Sequence, residues 1–323
     1  MGSSGQPVLI IGGGLAGSLL ALALVEQGVA VQLLDGGRAE ASRFSYGVIA
    51  GFAGHWRRMQ WRHGELGLRQ RRILPPAIAQ VDTALLWQRL PALLASAGAE
   101  YLPGVVAALR PDPQGWRISL ADGSEALAPQ LVLAAGAGCR RLWPELPAQL
   151  RSSWAGVLEL SDWPGPGSGL RLPGQMQRLQ VERQAERLKQ QAWVVDAGLV
   201  PWGTGGLLGQ LSLISPGLSP AAAPQPQQAE ARLRQALLAS PLAEFADAAG
   251  TWRQMQVAYS SSGIPLVGPV PHAPGLWVFS GFSGAYASVP PLARSLALAM
   301  AADPAGAGRA QRALHRQGVW PQR

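Results

Sequence analysis

The 323-residue chain holds one cysteine, Cys139, a single lysine, Lys189, and no asparagine. With one thiol no intramolecular disulfide can form, so a disulfide-built secreted scaffold is excluded. The four histidines, His55, His63, His272 and His315, are scattered, and no Cys/His cluster has metal-ligand spacing. No metal site is expected. Charge is scarce too, at 14% of residues against about 25% in an average soluble protein. One uncharged run, Val8 to Val25, approaches the length of a membrane span. It lacks a basic flank before it and is broken by Gly12, Gly13, Gly14 and Gly17, which argues against both a signal peptide and a spanning helix. We expect a cytoplasmic protein without an integral membrane segment.

The charge that is present is unevenly placed. The net charge is +8. Residues 55–72 (HWRRMQWRHGELGLRQRR) carry six Arg against one Glu, or +5, and residues 304–323 carry four Arg and no acid, or +4. Taking both from +8 leaves a body of −1, so two basic segments sit on a nearly neutral protein.

The body begins with a motif that has a stated chemistry. Residues 7–35 read PVLIIGGGLAGSLLALALVEQGVAVQLLD. An apolar run over 8–11 predicts a buried parallel strand, a helical pattern follows to Gly28, and 29–34 predicts a second strand ending at Asp35. The spacing Gly12-x-Gly14-x-x-Gly17 falls between the first strand and the helix. There the glycines serve a tight turn, close approach of a pyrophosphate and close helix–sheet packing. The N–H groups at the helix start favour phosphate charge, and Asp35 is placed to accept hydrogen bonds from an adenosine ribose. Gly12, Gly13, Gly14, Leu15, Ala16, Gly17 and Asp35 are the cofactor-binding candidates of this segment. No second such motif has strand and helix flanks: residues 165–169 lie in a Pro-rich loop, and 203–206 read as a hairpin turn.

Further stretches follow in a recognisable order. They are 41–47 (ASRFSYG), 81–109 with Val105-Val106, 131–136 (LVLAAG), 264–268 (IPLVG) and 277–284 (WVFSGFSG). With the first motif, this set resembles the FAD-dependent oxidoreductases of the D-amino-acid oxidase and glycine oxidase type. The resemblance implies an α/β protein with a Rossmann-like FAD-binding domain and an inserted, mainly antiparallel β substrate domain. It implies FAD as cofactor and adds Arg43, Ser45, Val106, Ala135, Gly136, Gly281, Phe282, Ser283 and Gly284 to the residues that hold it. The expected domains are 1–54, 78–143 and 255–302 for FAD, 55–77 and 144–254 for substrate, and 303–323 as a basic tail. Within the substrate part, short alternating runs such as 180–182 and 193–195 fit strands, 220–228 reads as a linker and 229–238 as a helix.

The implied activity is oxidation of a C–N bond of an amine or amino-acid-like donor by hydride transfer to flavin N5, electrons leaving to oxygen, a quinone or a carrier protein. A flavin accepts hydride without a protein nucleophile, so no triad is required. Two departures stand out. Where family members that oxidise amino acids carry an Arg for the substrate carboxylate, this chain has Val257; Arg253 would serve only with a shifted register. The region between Gly51 and Val81 is also short for a cap over the flavin. Arg253, Tyr259 and Phe282 are the pocket candidates.

Two other functions stay open. Segment 55–72 interleaves Trp56 and Trp61 with arginines, which suits a solvated face, a nucleic-acid or other anionic substrate, or a lipid surface. The same broad family includes a tRNA-modifying oxidase domain. A non-catalytic, FAD-containing assembly factor is the other alternative. In the tail, Arg309, Arg312 and Arg316 would form one stripe if helical, though its composition favours a frayed segment. Lys189 reads as a surface residue and Cys139 as packing.

Overall fold

The uncharged run becomes a strand and the helix that follows it, β1 (Val8–Ile11) and α1 (Leu15–Val25). All of β1 is buried, and α1 buries Leu15, Leu19, Leu20, Leu22 and Leu24. A helix apolar on every side needs cover on every side, which accounts for the missing charge. No helix among the described residues is long and apolar enough to cross a membrane. The computed structural model describes residues 6–37, 40–50, 54–71, 78–163, 170–173, 176–220, 222–301 and 304–319. Arg72, the loop at 165–169 and the last four residues of the tail lie outside them. Elements are numbered along the chain.

The chain folds as two units. The first comprises residues 1–39, 89–150 and 264–323. Its main sheet has the order β15 (Leu266–Pro269), β16 (Leu276–Ser280), β10 (Leu131–Leu133), β1, β2 (Val31–Asp35), β6 (Glu100–Pro103). From β16 to β6 the strands are parallel, and β15 pairs antiparallel with β16 at the edge. Strands covered on both faces read as continuous apolar runs, as β1 and β10 do. Helix α1 packs on α8 (Ala285–Met300), and α8 on α9 (Pro304–Arg316). The unit also holds α4 (Thr83–Ala97) from Arg89 onward, the short α5 (Cys139–Leu142), and a small antiparallel sheet of β7 (Val106–Asp112), β8 (Gly115–Leu120) and β9 (Glu125–Ala128).

Helix α9 overturns the frayed tail expected from composition. Leu314 and Val319 are buried, and the Val319 carbonyl accepts the Val267 N–H of β15 at 2.9 Å. Arg309, Arg312 and Arg316 are exposed on one stripe of the helix.

The second unit comprises residues 40–88 and 151–263. Its sheet has the order β12 (Ala192–Trp202), β13 (Gly205–Ile214), β11 (Leu150–Leu160), β14 (Thr251–Ser260). β13 pairs antiparallel with both neighbours, and the β12–β13 turn is the hairpin at Gly203-Thr204. Helix α7 (Pro226–Leu238) places Ala229, Leu233 and Leu237, spaced by four, against Leu158, Leu208 and Leu211. A second cluster joins Tyr46, Ala155, Val157, Trp202, Leu207 and Met255. A three-stranded sheet, β3 (Val48–Ala50), β5 (Ile78–Val81), β4 (Leu68–Arg71), and helices α2 (Glu40–Arg43) and α3 (Gly54–His63) complete the part before residue 88.

One expected strand is a helix. Residues 180–182 lie in α6 (Gln177–Arg183), whose first N–H groups find an acceptor far along the chain. Asp196 Oδ1 accepts from Gln177 N–H at 2.8 Å and Oδ2 from Arg178 N–H at 3.4 Å. Three residues of alternation are too few to outweigh such a cap, which satisfies donors a helix start otherwise leaves orphaned.

Candidate dinucleotide site

Three glycine-bearing turns leave the carboxyl ends of three adjacent parallel strands of the first unit. β1 leads to Gly12–Gly14 and α1, β10 to Ala134–Gly138, and β16 to Gly281–Gly284 and α8. The register places Ile11 beside Leu133 and Leu131 beside Leu276, so the turns line one edge of the sheet. Crevices outside the carboxyl ends of parallel strands are where open α/β sheets take their ligands.

Backbone packing demands the glycines at the first turn. Gly12 has φ +110°, and a Cβ there would lie 2.6 Å from the Ala134 carbonyl oxygen. A Cβ on Gly17 would lie 1.9 Å from the Gly12 carbonyl oxygen, and one on Gly13 2.5 Å from Asp35 Cγ. Such positions leave room for main chain only. Gly14 stands at the start of α1 with no side-chain cap, and the first turn holds no acid. Leu15 is buried beneath it and Ala16 half-buried. The turn is braced from below, where Ser18 Oγ donates to the Gly13 carbonyl at 3.0 Å.

Asp35 ends β2 beside this turn. Its Oδ1 accepts the Gly13 N–H at 3.2 Å, and its Oδ2 accepts the Tyr101 hydroxyl at 2.7 Å. Tyr101, on β6, belongs to no motif and sequence reasoning missed it. Its signal is the strand register, which pairs Tyr101 with Leu33 and Pro103 with Asp35. Desolvation, then the Asp35 hydrogen bond and charge, push the phenol up to about 12. Val106 is buried and its carbonyl accepts Arg141 Nη2 at 3.1 Å, whereas Val105 is exposed.

The remaining candidates of this unit sit at the other two turns. Gly136 has φ +54° and Gly281 φ +85°. Ala135 precedes the short 3-10 turn at Gly136–Gly138. Phe282 packs edge-on to Phe279 with centroids 4.8 Å apart, Ser283 follows it, and Gly284 starts α8, again with no side-chain cap. Cys139 is fully buried, and burial pushes its thiol up to about 11.

Arg43 and Ser45 belong to the second unit. The Arg43 carbonyl accepts Thr83 Oγ1 at 2.7 Å and Trp202 Nε1 at 3.0 Å, while its guanidinium lies 5.3 Å from the Phe44 ring centroid. Ser45 Oγ accepts the Gly47 N–H at 3.4 Å. The pocket candidates on β14 are not brought together. Arg253 Nε pairs with Glu159 Oε2 at 2.6 Å. Tyr259 stands six residues along, about 20 Å at 3.3 Å per residue, in a buried cluster with Ala185, Val194 and Ile214. Burial first, and the Glu182 charge next, push the Tyr259 phenol well up, and its hydroxyl has no hydrogen-bond partner among the described residues. Between them, Val257 packs on the cluster of Tyr46, Trp202 and Met255.

The second unit also carries a cleft of about 680 Å³ lined by Arg43, Asp82, Trp87, Glu159, Trp202 and Thr204, among others. Asp82 Oδ1 accepts N–H groups from Leu85 at 3.2 Å and Gly203 at 3.3 Å, tying the start of α4 to the β12–β13 hairpin. Helix α3 buries Trp56 and exposes Arg57, Arg58 and Arg62. Lys189 is exposed. No group of three or more His, Cys, Asp or Glu among the described residues could hold a metal ion.

Comparison with known proteins agrees with this geometry. Residues 74–298 match the family described as DAO, FAD dependent oxidoreductase. No curated protein matches the sequence. Among solved structures, iminodiacetate oxidase from Chelativorans sp. BNC1 is 19% identical, with a TM-score of 0.63 over 90% of this chain and 94% of that one. Glycine oxidase from Geobacillus kaustophilus is 16% identical, with a TM-score of 0.64 over the same shares. Fructosamine oxidase (Amadoriase II) from Aspergillus fumigatus is 15% identical, with a TM-score of 0.60 over 95% and 88%. At such identities the likeness is one of fold.

Proposed function

The chain belongs to the DAO family of FAD dependent oxidoreductases, and on that premise we propose that it oxidises a C–N bond of an amine or amino-acid-like donor. Bound FAD supplies the hydride acceptor, at flavin N5. The observation that carries the reading is the row of three glycine turns at one sheet edge, with a carboxylate beside the first. The cradle at Gly12–Gly17 fits a dinucleotide, since a Cβ on Gly12, Gly13 or Gly17 would collide with backbone or with Asp35. We assign the pyrophosphate to Gly12, Gly13, Gly14, Leu15, Ala16 and Gly17, where uncapped helix N–H groups favour anions. The ribose is assigned to Asp35, the adenine side to Val106, and the flavin side to Ala135, Gly136 and Gly281, Phe282, Ser283 and Gly284. Arg43 and Ser45 are assigned to the cofactor on the resemblance of residues 41–47 to the family segment.

The residues of β14 narrow the donor. An Arg for a substrate carboxylate is replaced by Val257 among apolar side chains, and Arg253 is already paired with Glu159. Both favour an amine whose recognition does not depend on a free carboxylate. The test is the visible spectrum of the purified protein, then anaerobic mixing with glycine, sarcosine, proline, D-amino acids and simple secondary amines. Bleaching of the flavin is expected with an amine lacking the carboxylate; a colourless protein that cannot be reconstituted, or no bleaching by any donor, sinks the reading.

A second reading, a nucleic-acid or other anionic substrate held by segment 55–72, is favoured by the exposed Arg57, Arg58 and Arg62 of α3. Trp56 is buried and unavailable for stacking on bases. This reading predicts tRNA binding that weakens steeply with salt; absent or salt-insensitive binding eliminates it.

A further inference from the structure

The Asp35 carboxylate is held from two sides before any ligand reaches it. Gly13 N–H takes Oδ1 and the Tyr101 hydroxyl takes Oδ2. A carboxylate has about four lone-pair positions, so two acceptor sites stay open toward a ligand while the group cannot swing away. The clamp itself is tightly built: Gly104 N–H donates to the Asp35 carbonyl at 2.9 Å. A Cβ on Gly36 would already lie 3.2 Å from Val105 Cγ2.

The surface around this clamp is unusual. The Tyr101 ring is 48% exposed and Val105 36% exposed, two of six large hydrophobic residues left exposed among the described residues. Tyr101 bonds to the Asp35 carboxylate, and Val105 lies beside Gly36, the next residue along the chain. A lone exposed aromatic needs no explanation. An exposed aromatic whose hydroxyl is committed to that carboxylate, with an exposed valine at the adjoining corner, forms an apolar shelf beside a polar anchor. Small-ligand sites are made of such pairs.

We infer that Tyr101 is a positioning residue for the adenosine half of FAD: its hydroxyl fixes the Asp35 carboxylate for the ribose, and its ring with Val105 forms the adenine wall. The inference rests on the assignment of the ribose to Asp35. Desolvation and the Asp35 hydrogen bond and charge hold the Tyr101 proton up to about 12, so the phenol remains a donor to Asp35 through the neutral range. Its oxygen keeps lone pairs with which to accept from a ligand hydroxyl.

The test uses the full chain, stripped of cofactor and titrated with three probes: FAD, an FAD analogue built on 2′-deoxyadenosine, and FMN, which lacks adenosine. Affinity is read from flavin fluorescence or equilibrium dialysis, independently of turnover. Wild type should prefer FAD over the 2′-deoxy analogue by about tenfold, the value of one hydrogen bond to a charged group. Tyr101→Phe should bind FAD several-fold more weakly, lose most of that preference and keep its FMN affinity; Tyr101→Ala, lacking the ring as well, should bind FAD more weakly still. The 2′-hydroxyl preference is a ratio within one variant, so a loss of folding stability does not move it. Undiminished FAD affinity and preference in Tyr101→Phe overturns the inference, as does an equal loss for FAD and FMN, which would mark a structural role. A wild type indifferent to the 2′-hydroxyl overturns the ribose assignment itself.

Discussion

Gly17→Ala should weaken cofactor binding about a hundredfold while Gly138→Ala leaves it intact, although both put one methyl group near the same sheet edge. At Gly17 the new Cβ would lie 1.9 Å from the Gly12 carbonyl oxygen, against 3.4–4 Å for ordinary contact. The two must part by about 1.5 Å, and steric overlap of that size cannot be absorbed by side-chain motion. The Gly12 carbonyl has nowhere to go. Its residue donates N–H to the Leu34 carbonyl at 2.9 Å and lies against the Ala134–Ala135 backbone. The start of α1 must therefore move, and with it the N–H groups assigned to the pyrophosphate. Overpacking costs about 1–3 kcal/mol of stability. Losing two hydrogen bonds to a charged group costs about 3 kcal/mol or more of FAD affinity, roughly a hundredfold. At Gly138 the Cβ would meet Ala135 Cβ at 3.6 Å, an ordinary contact, and φ is −74°. Alanine there should be neutral or raise stability by about 0.4–1 kcal/mol through the unfolded chain. The assay is thermal unfolding with and without FAD at about 100 times the wild-type Kd. Wild type and Gly138→Ala should gain about 2.7 kcal/mol, or roughly 4 °C for a chain of this size. Gly17→Ala should gain about 1 °C or less at the same concentration. A Gly17→Ala protein that gains as much as wild type would refute the packing argument and the placement of the pyrophosphate together.

Other expectations concern the second unit and the thiol. Burial raises the Asp196 carboxyl above its ordinary range, against the pull of Arg178 and two backbone donors. Its stabilising contribution is then whole below the ordinary carboxylate range and is lost as pH rises through the raised folded-state value. Asp196→Asn should flatten that decline in urea unfolding as pH rises above the ordinary carboxylate range; identical slopes would count against the burial argument. Glu182 is 1% exposed and pairs with Arg178 Nη1 at 2.6 Å. Glu182→Gln removes the buried carboxylate of this ion pair, and a loss of about 3–5 kcal/mol is expected, while a loss below about 1 kcal/mol would show the pair to be dispensable. Cys139, buried and with its thiol pushed up to about 11, should resist alkylation in the native protein and react on unfolding. Native labelling at the rate of an exposed thiol would contradict its packing.

The first unit was legible because its signals are local. Glycine spacing, an apolar run of the right length and a carboxylate at the end of the second strand all fall within one stretch of residues, and the backbone collisions at Gly12 and Gly17 explain that spacing. What escaped the sequence depends on distant partners. Helix α6 takes its cap from Asp196, nineteen residues beyond Gln177, so a window around 180–182 sees only three alternating residues. The tail is ordered by burial of Leu314 and by Val319 bonding to Val267, neither of which composition records. Tyr101 reaches Asp35 across 66 residues.

Strand β14 explains why the donor is harder to infer than the cofactor. Arg253, Met255, Val257 and Tyr259 alternate with their neighbours and so share one face of the strand. Yet this face offers three environments in ten residues: an ion pair with Glu159, an apolar cluster, and a buried phenol without a partner. The resemblance implies an Arg, in members that oxidise amino acids, where this chain has a Val, and it leaves a nearby Arg that could replace it. The structure separates those two facts. Arg253 is engaged by Glu159 and lies 5.2 Å from the Phe44 ring centroid. Position 257 packs among Tyr46, Trp202 and Met255, where an unpaired guanidinium would cost several kcal/mol. Val257 is therefore packed, half-buried, on an apolar core cluster that Tyr46, Trp202 and Met255 already define. The proposed preference for a donor without a carboxylate rests on these two findings together, an apolar setting at position 257 and an Arg253 already engaged.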